Sequence, residues 1–279
     1  MSTSPFCLAG VMGWPIAHSR SPLIHNYWLQ KYGLTGSYVP LAVAPGTLGA
    51  AIHGLKALGF QGCNITIPHK VDALAFVDNV DSVARRIGAI NTIVVQADGS
   101  LKGLNTDGYG YIQSLLDAQP DWRADAGPIV VLGAGGAARA VVLSLADRGA
   151  KEIRLLNRTT AAAFALAEEF GAPVKAMAWT DRHAALDDIA LLVNTTSQGM
   201  QGHASLDLDL SALPKTALVS DLVYVPLETP LLIAARSRGN PCVGGLGMLL
   251  NQARPAFEAW FGVLPEISNE LRRVVEATL

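Results

Sequence analysis

Pro128-Ile-Val-Val-Leu132 runs straight into Gly133-Ala-Gly135-Gly136-Ala-Ala138, and this stretch decides the fold. A short apolar run closed by glycines reads as a buried strand ending in a tight turn. An alanine-rich stretch (139–148) and a second apolar run, Glu152-Ile-Arg-Leu-Leu156, follow. Strand, glycine turn, helix and strand together make the phosphate-cradling half of a dinucleotide fold. Gly133 allows the tight turn, and Gly135 lets backbone approach a pyrophosphate. Ala138 fills the third place, where only a small residue lets the helix pack on the sheet. The pyrophosphate would sit at the helix N-terminus, where free N–H groups and the macrodipole favour anions.

Glycine turns also join strands and helices that bind nothing, so the end of the second strand carries the discrimination. An NAD-binding chain places Asp or Glu there to hold the ribose 2′-hydroxyl. Here the residues are Asn157-Arg158-Thr159. A carboxylate would repel a 2′-phosphate, whereas Arg158 can pair with one through charge-assisted bonds. The competing account is a solvated Arg158 and a Thr159 that caps the next helix. Gly133, Ala134, Gly135, Gly136 and Ala137, with Asn157, Arg158 and Thr159, are the expected contacts of an NADP cofactor.

A chain of 279 residues exceeds the usual single domain, and a 50% hydrophobic content can fill two cores. A net charge of −2 supports neither a nucleic-acid surface nor a polybasic membrane anchor. No basic residue precedes Arg20, so the apolar stretch 6–17 lacks the charged start of a signal peptide, and Gly10, Gly13 and Pro15 interrupt it. No stretch approaches the ~18 uninterrupted apolar residues of a membrane span. Cys7, Cys63 and Cys242 are far apart and odd in number, which argues for a reducing compartment rather than a disulfide framework or zinc site. The histidines form no ligand-spaced cluster. A soluble, cytoplasmic, metal-free protein is expected.

Before the glycine turn, short strands alternate with helices. Strands are expected at 6–12, 37–43 and 62–67, helices at 21–32 and 47–58, and short helical pieces at 72–77 and 82–87. Ser21 would be the N-cap and Pro22 the first helical residue. Residues 91–96 and 101–104 read as a hairpin, and 108–117 as a helix. After the turn, strands are expected at 174–177, 190–193 and 217–222, and helices at 246–261 and 266–278.

In open α/β sheets ligands bind beyond the carboxyl ends of the strands, so polar residues there matter most. The third strand ends Asn64-Ile-Thr66-Ile-Pro68-His69-Lys70, with Asn64 and Thr66 on one face by the period of two. A lysine there is ordinarily a solvated residue at a helix start. Asn91 follows Gly88-Ala-Ile90, and Asp107 closes Asn105-Thr106, where an N-cap is the ordinary role. His18-Ser19-Arg20-Ser21-Pro22 reads as a helix start. Gln252 is more polar than a plain core helix requires.

Each ordinary account stands alone, but these segments in this order resemble one family, the shikimate/quinate dehydrogenases. The resemblance rests on Gly13-Trp-Pro-Ile-Ala-His-Ser-Arg-Ser-Pro22, Asn64-Ile-Thr-Ile-Pro-His-Lys70, Gly88-Ala-Ile-Asn-Thr92 and Asn105-Thr-Asp-Gly108. Gly133-Ala-Gly-Gly-Ala137, Asn157-Arg-Thr159, Asp221-Leu-Val-Tyr224 and Gly245-Leu-Gly-Met248 through Gln252 complete it.

The resemblance implies reversible NADP-linked reduction of 3-dehydroshikimate to shikimate, a step of chorismate and aromatic amino acid biosynthesis. It implies an α/β substrate domain (1–106 plus 244–279) and a Rossmann-type doubly wound NADP domain (107–243). The last helices would return to the first domain, with the active site in the cleft. Lys70 and Asp107 would manage the hydroxyl proton, with Lys70 favoured as the base. Ser19 and Ser21 would hold the substrate carboxylate, and Thr66, Asn91, Asp107 and Gln252 the ring hydroxyls. Tyr224 would lie at the substrate, and Leu222 and Gly245 beside the nicotinamide. The only partner expected is the small-molecule substrate, for a monomer or homodimer that engages neither nucleic acid nor membrane.

One segment departs from the family pattern. Relatives often carry a further basic residue after Asn-Arg-Thr, where this chain has Thr160-Ala-Ala-Ala163. A quinate/shikimate dehydrogenase using NAD or both cofactors therefore stays open, as does a non-catalytic NADP-binding sensor. Ser19-x-Ser21 speaks for shikimate over quinate, and the presence of both Lys70 and Asp107 speaks against the sensor.

Overall fold

The computed structural model describes residues 6–279. The chain divides into two compact units: one takes the chain up to Asp107 together with Leu250–Thr278, the other Gly108–Leu249. This division leaves Asp107 with the first unit and residues 244–249 with the second, where the family resemblance assigns them the other way. Local bonding explains both. The Asp107 carboxylate is taken up by Lys70 and Asn91, while the Gly245 N–H donates to the Val223 carbonyl.

In chain order the first unit opens β1 (Cys7–Gly13), α1 (Ser21–Lys31), β2 (Gly36–Ala42), α2 (Leu48–Ala57) and β3 (Phe60–Ile65). A 3-10 turn (Asp72–Phe76), β4 (Asn79–Val80), α3 (Ser82–Ile87) and the hairpin β5 (Thr92–Val95) and β6 (Leu101–Leu104) follow. The sheet order is β2-β1-β3-β5-β6-β4. β1 pairs in parallel with β2 and β3, whereas β3–β5 and β5–β6 are antiparallel. The residues that leave β1 and β3 therefore emerge from neighbouring strands at the same edge. The N-cap of α1 is Arg20, with no side-chain capping bond, so Ser21 is the first helical residue rather than the cap.

The second unit contains α4 (Asp107–Ala118, its first residue counted with the first unit), β7 (Ile129–Leu132), α5 (Gly136–Asp147), β8 (Ile153–Leu156), α6 (Thr160–Phe170) and β9 (Val174–Met177). β10 (Leu191–Asn194), β11 (Leu218–Asp221), α7 (Pro230–Ser237) and β12 (Cys242–Val243) complete it. All six strands are parallel, in the order β12-β11-β10-β7-β8-β9. The chain winds outward from β7 in one direction and then, from β10, in the other. The strand order reverses between these two strands, which is where open α/β sheets bind ligands. Parallel strands covered on both faces read as continuous apolar runs. Accordingly Ile129 and Val131 pack in one buried layer with Val141 and Leu145 of α5, while Val130 and Leu132 pack in the other with Leu192 and Leu232.

The chain ends in α8 (Leu246–Phe261) and α9 (Asn269–Glu276). Phe257 and Trp260 of α8 belong to an aromatic cluster with His25 and Trp28 of α1 and Tyr38 of β2. Trp260 also donates from Nε1 to the Ile93 carbonyl at 3.0 Å. This cluster covers one face of the first sheet; Ile52, Leu55, Ile65, Ile90 and Ile93 fill the other.

Candidate active site

The strand β7 delivers the glycine turn. Gly133 has φ +115°, a region that costs a side chain dearly, and its N–H donates to the Leu156 carbonyl at 2.8 Å. A Cβ at Gly133 would lie 2.3 Å from Thr195 Oγ1, and that hydroxyl is itself bonded to the Leu132 carbonyl at 2.7 Å. Gly135 is the N-cap of α5 and supplies no side-chain cap, and a Cβ at Gly135 or Gly136 would meet nothing within 4 Å. The first turn of α5 thus faces open space with its donors available to an outside anion. Ala138 is fully buried against the sheet, as its small size allows. Ala134 and Ala137 are half-buried in the same turn.

At the end of β8, Asn157 Nδ2 donates to the Thr159 carbonyl at 3.0 Å and shapes the loop. Thr159 occupies the N-cap position of α6 but makes no side-chain capping bond. The capping account of Thr159 is therefore not the one the fold adopts. Arg158 is exposed, without an ion pair or hydrogen bond among the described residues. Other arginines of this unit are committed: Arg139 pairs with Glu169, and Arg154 with Glu152 and Asp188. An anion-receptive helix start and an uncommitted guanidinium beyond the next strand fit a dinucleotide that carries a 2′-phosphate.

A second polar cluster ties down the ends of β10 and β11. Asn194 Oδ1 accepts from the Thr196 N–H and hydroxyl at 3.0 and 2.7 Å, and its Nδ2 donates to Asp221 Oδ1 at 3.0 Å. Asp221 also accepts from the Val223 N–H at 3.0 Å and the Thr229 hydroxyl at 2.7 Å. Burial raises its carboxyl above the ordinary range. These bonds fix the course of Leu222, Val223 and Tyr224. A Cβ at Gly245 would lie 2.1 Å from the Leu222 carbonyl oxygen, so only glycine lets these two backbones touch. Leu222 and Gly245 are thus brought together, with Tyr224 half-buried close by in sequence. Asn194 and Thr195 escaped the sequence reading, although a polar Asn-Thr-Thr directly after a buried strand was a signal.

In the first unit, Pro68 and a His69 held by the Val43 carbonyl (2.7 Å) lead β3 into Lys70. Lys70 Nζ lies 2.5 Å from Asp107 Oδ2. Asn91 Nδ2 donates to Asp107 Oδ1 and to Thr106 Oγ1, each at 2.9 Å, and lies 3.4 Å from Gln252 Oε1. Thr106 passes its own proton to the Gln252 carbonyl at 2.8 Å. Lys70, Asn91, Asp107 and Gln252 therefore form one hydrogen-bonded cluster. With both carboxylate oxygens engaged by side chains, Asp107 is not simply a helix cap. The Lys70 side chain keeps 22% of its surface exposed against 6% for Asp107, so the ammonium is the open member of the pair.

The remaining predicted residues lie at the same edge of the first sheet. Ser19 follows β1, and its Oγ accepts from the Ser21 N–H at 3.3 Å. Ser21 is buried. Thr66 is half-buried just past β3, with its Cγ2 2.6 Å from where a Gly13 Cβ would stand. Tyr38, Asn64, Thr92 and Thr106 also join the network, and sequence alone did not single out Tyr38, Thr92 or Thr106.

The parallel sheet with its glycine turn defines a dinucleotide-binding α/β protein. Comparison with known proteins narrows this class. Residues 11–93 match the family model described as shikimate dehydrogenase substrate binding domain, and 119–204 that of shikimate / quinate 5-dehydrogenase. The chain is 55% identical to the shikimate dehydrogenase (NADP(+)) of Paramagnetospirillum magneticum, over 96% of this chain and 97% of that one. Among solved structures it is similar to Thermus thermophilus shikimate 5-dehydrogenase in complex with NADP(H) and shikimate, with 36% identity, a TM-score of 0.87, and coverage of 98% and 100%. It is also similar to Corynebacterium glutamicum quinate dehydrogenase in complex with NAD, with 30% identity, a TM-score of 0.89, and 98% of each chain covered. The chain belongs to the shikimate dehydrogenase family.

Proposed function

We propose that the protein catalyses the reversible, NADP-linked reduction of 3-dehydroshikimate to shikimate. The observation that carries this reading is the Lys70–Asp107 pair at 2.5 Å, hydrogen-bonded into one cluster with Asn91 and Gln252. When bound, NADP(H) supplies the hydride acceptor or donor; the turn Gly133–Ala137 would hold its pyrophosphate, and Arg158 with Thr159 its 2′-phosphate.

Oxidising a secondary alcohol requires its hydroxyl proton to leave, and the reverse reaction requires a proton at the carbonyl oxygen. Lys70 Nζ, the exposed member of the pair, exchanges that proton, and Asp107 holds the ammonium in place and balances its charge. Ser19 and Ser21, at the start of α1, anchor the substrate carboxylate through their hydroxyls. Thr66, Asn91, Asp107 and Gln252 bond the ring hydroxyls, and Tyr224 completes the substrate contacts. A cytoplasmic location accords with three free cysteines, and no helix of the described residues is long and apolar enough to cross a membrane.

Four assays test the proposal: NADP⁺ and NAD⁺ reduction, each with shikimate and with quinate. The highest kcat/KM is expected for shikimate with NADP⁺. Equal kcat/KM with both cofactors would refute the cofactor assignment, and a preference for quinate the substrate assignment.

A further inference from the structure

Behind the Lys70–Asp107 pair runs a buried chain of hydrogen bonds whose direction is set at every step. The Tyr38 hydroxyl donates to Asn64 Oδ1 at 2.6 Å. Asn64 Nδ2 spends its two protons on the Asn91 carbonyl and on Thr92 Oγ1, each at 3.0 Å. Thr92, having accepted there, sends its single proton to Asn91 Oδ1 at 2.9 Å. Asn91 Nδ2 then donates to Asp107 Oδ1. All of these residues are buried, and the final acceptor is a carboxylate, so every dipole points its proton toward a negative charge.

We propose that Tyr38 is a positioning residue for the Lys70–Asp107 pair, acting through Asn64, Thr92 and Asn91; the inference rests on the function proposed above. Without the phenol proton, Asn64 Oδ1 is a buried acceptor with no donor, a costly state. With that donor gone the Asn64 amide is held only through Nδ2, by the Asn91 carbonyl and Thr92 Oγ1. A shift of this amide therefore moves Thr92 and Asn91 together, while the Thr106 N–H keeps its bond to Asn91 Oδ1. The disturbance reaches the amide that holds Asp107 as a loss of alignment.

A double-mutant cycle on kcat for shikimate oxidation tests this. Tyr38→Phe and Thr92→Val are each expected to lower kcat about 10-fold, with KM for NADP⁺ unchanged. Because both cut one chain, the double variant should also stand about 10-fold down rather than about 100-fold. Multiplying effects, or a Tyr38→Phe kcat within about 2-fold of the parent, would overturn the inference. Should Tyr38→Phe fail to fold, Thr92→Val alone reads the lower half of the chain, and an unchanged kcat there overturns it equally. The parent is assayed first: no turnover of shikimate with NADP⁺ sinks the proposed function and this inference together, whereas an active parent with an unaffected Tyr38→Phe sinks only this one.

Discussion

Asp107 shows how a single residue can carry two readings that only tertiary structure separates. An aspartate that begins a helix is an ordinary cap, yet here Lys70 and Asn91 take both its oxygens. Thr159 is the converse, a residue in the cap position that does not cap. For Lys70 the consequence is measurable. Lys70→Ala should lower kcat by about 10²–10⁴, the usual worth of general acid–base catalysis, or roughly 3–5 kcal/mol of barrier. KM for NADP⁺ should stay near the parent value. Initial rates of NADP⁺ reduction check this, and a variant with near-parental turnover would remove Lys70 from its proposed role. The partners of Tyr38, Asn64 and Thr92 were illegible for a physical reason. They lie on β2, β3 and the start of β5, and the period of two places each residue on a face without saying which strands are neighbours. Only the sheet order β2-β1-β3-β5 brings them together.

At the scale of elements the local code was largely sufficient. α3, β9 and α8 fall at the residues their patterns predict, because each has a clear start, stop or buried run. β4 and β12 are two residues long, too short to carry a period. α7 was missed although Thr229 caps it, Pro230 opens it and Gly239 follows it with φ +87°. Its run Leu231-Leu-Ile233 types neither helix nor strand by periodicity. The glycine turn gives a sharper test, since its glycines have different reasons to be glycine. Gly133 needs a positive φ and sits against Thr195, so Gly133→Ala should lower the melting temperature of the cofactor-free protein by about 3–10 °C. Gly135 has φ −86° and open space around it, so Gly135→Ala should leave that temperature nearly unchanged. It should still raise KM for NADP⁺ at least about 10-fold, because its added methyl occupies the approach of the pyrophosphate. Thermal melts with and without NADP⁺ separate the two, and parental NADP⁺ binding by Gly135→Ala would contradict the turn's proposed role.

Across the whole molecule, the two units have separate cores, and each core holds a buried ionisable group of opposite sign. In the first, His25 is fully buried against Tyr38, with ring centroids 4.1 Å apart and neither ring nitrogen hydrogen-bonded among the described residues. Burial lowers its pKa from 6.5 to about 3. Its folded pKa lies below its unfolded one, so its contribution is intact above about pH 6.5 and is lost as pH falls toward 3. From pH 7 to pH 5 that loss comes to about 2 kcal/mol. In the second unit, burial raises the pKa of Asp221. That contribution is fullest below the ordinary carboxylate range and is lost as pH rises through the raised value, so acidification favours it. Mild acid should therefore weaken the first unit selectively. Hydrogen exchange at pH 7 and pH 5, corrected for intrinsic rates, should show β1 and β3 losing about 2 kcal/mol of protection while β7 and β10 hold theirs. His25→Phe keeps an aromatic ring beside Tyr38 and removes the titration, so it should abolish the difference. Equal losses in both units, or a loss in β1 and β3 that survives His25→Phe, would show that acid acts on this molecule by another route.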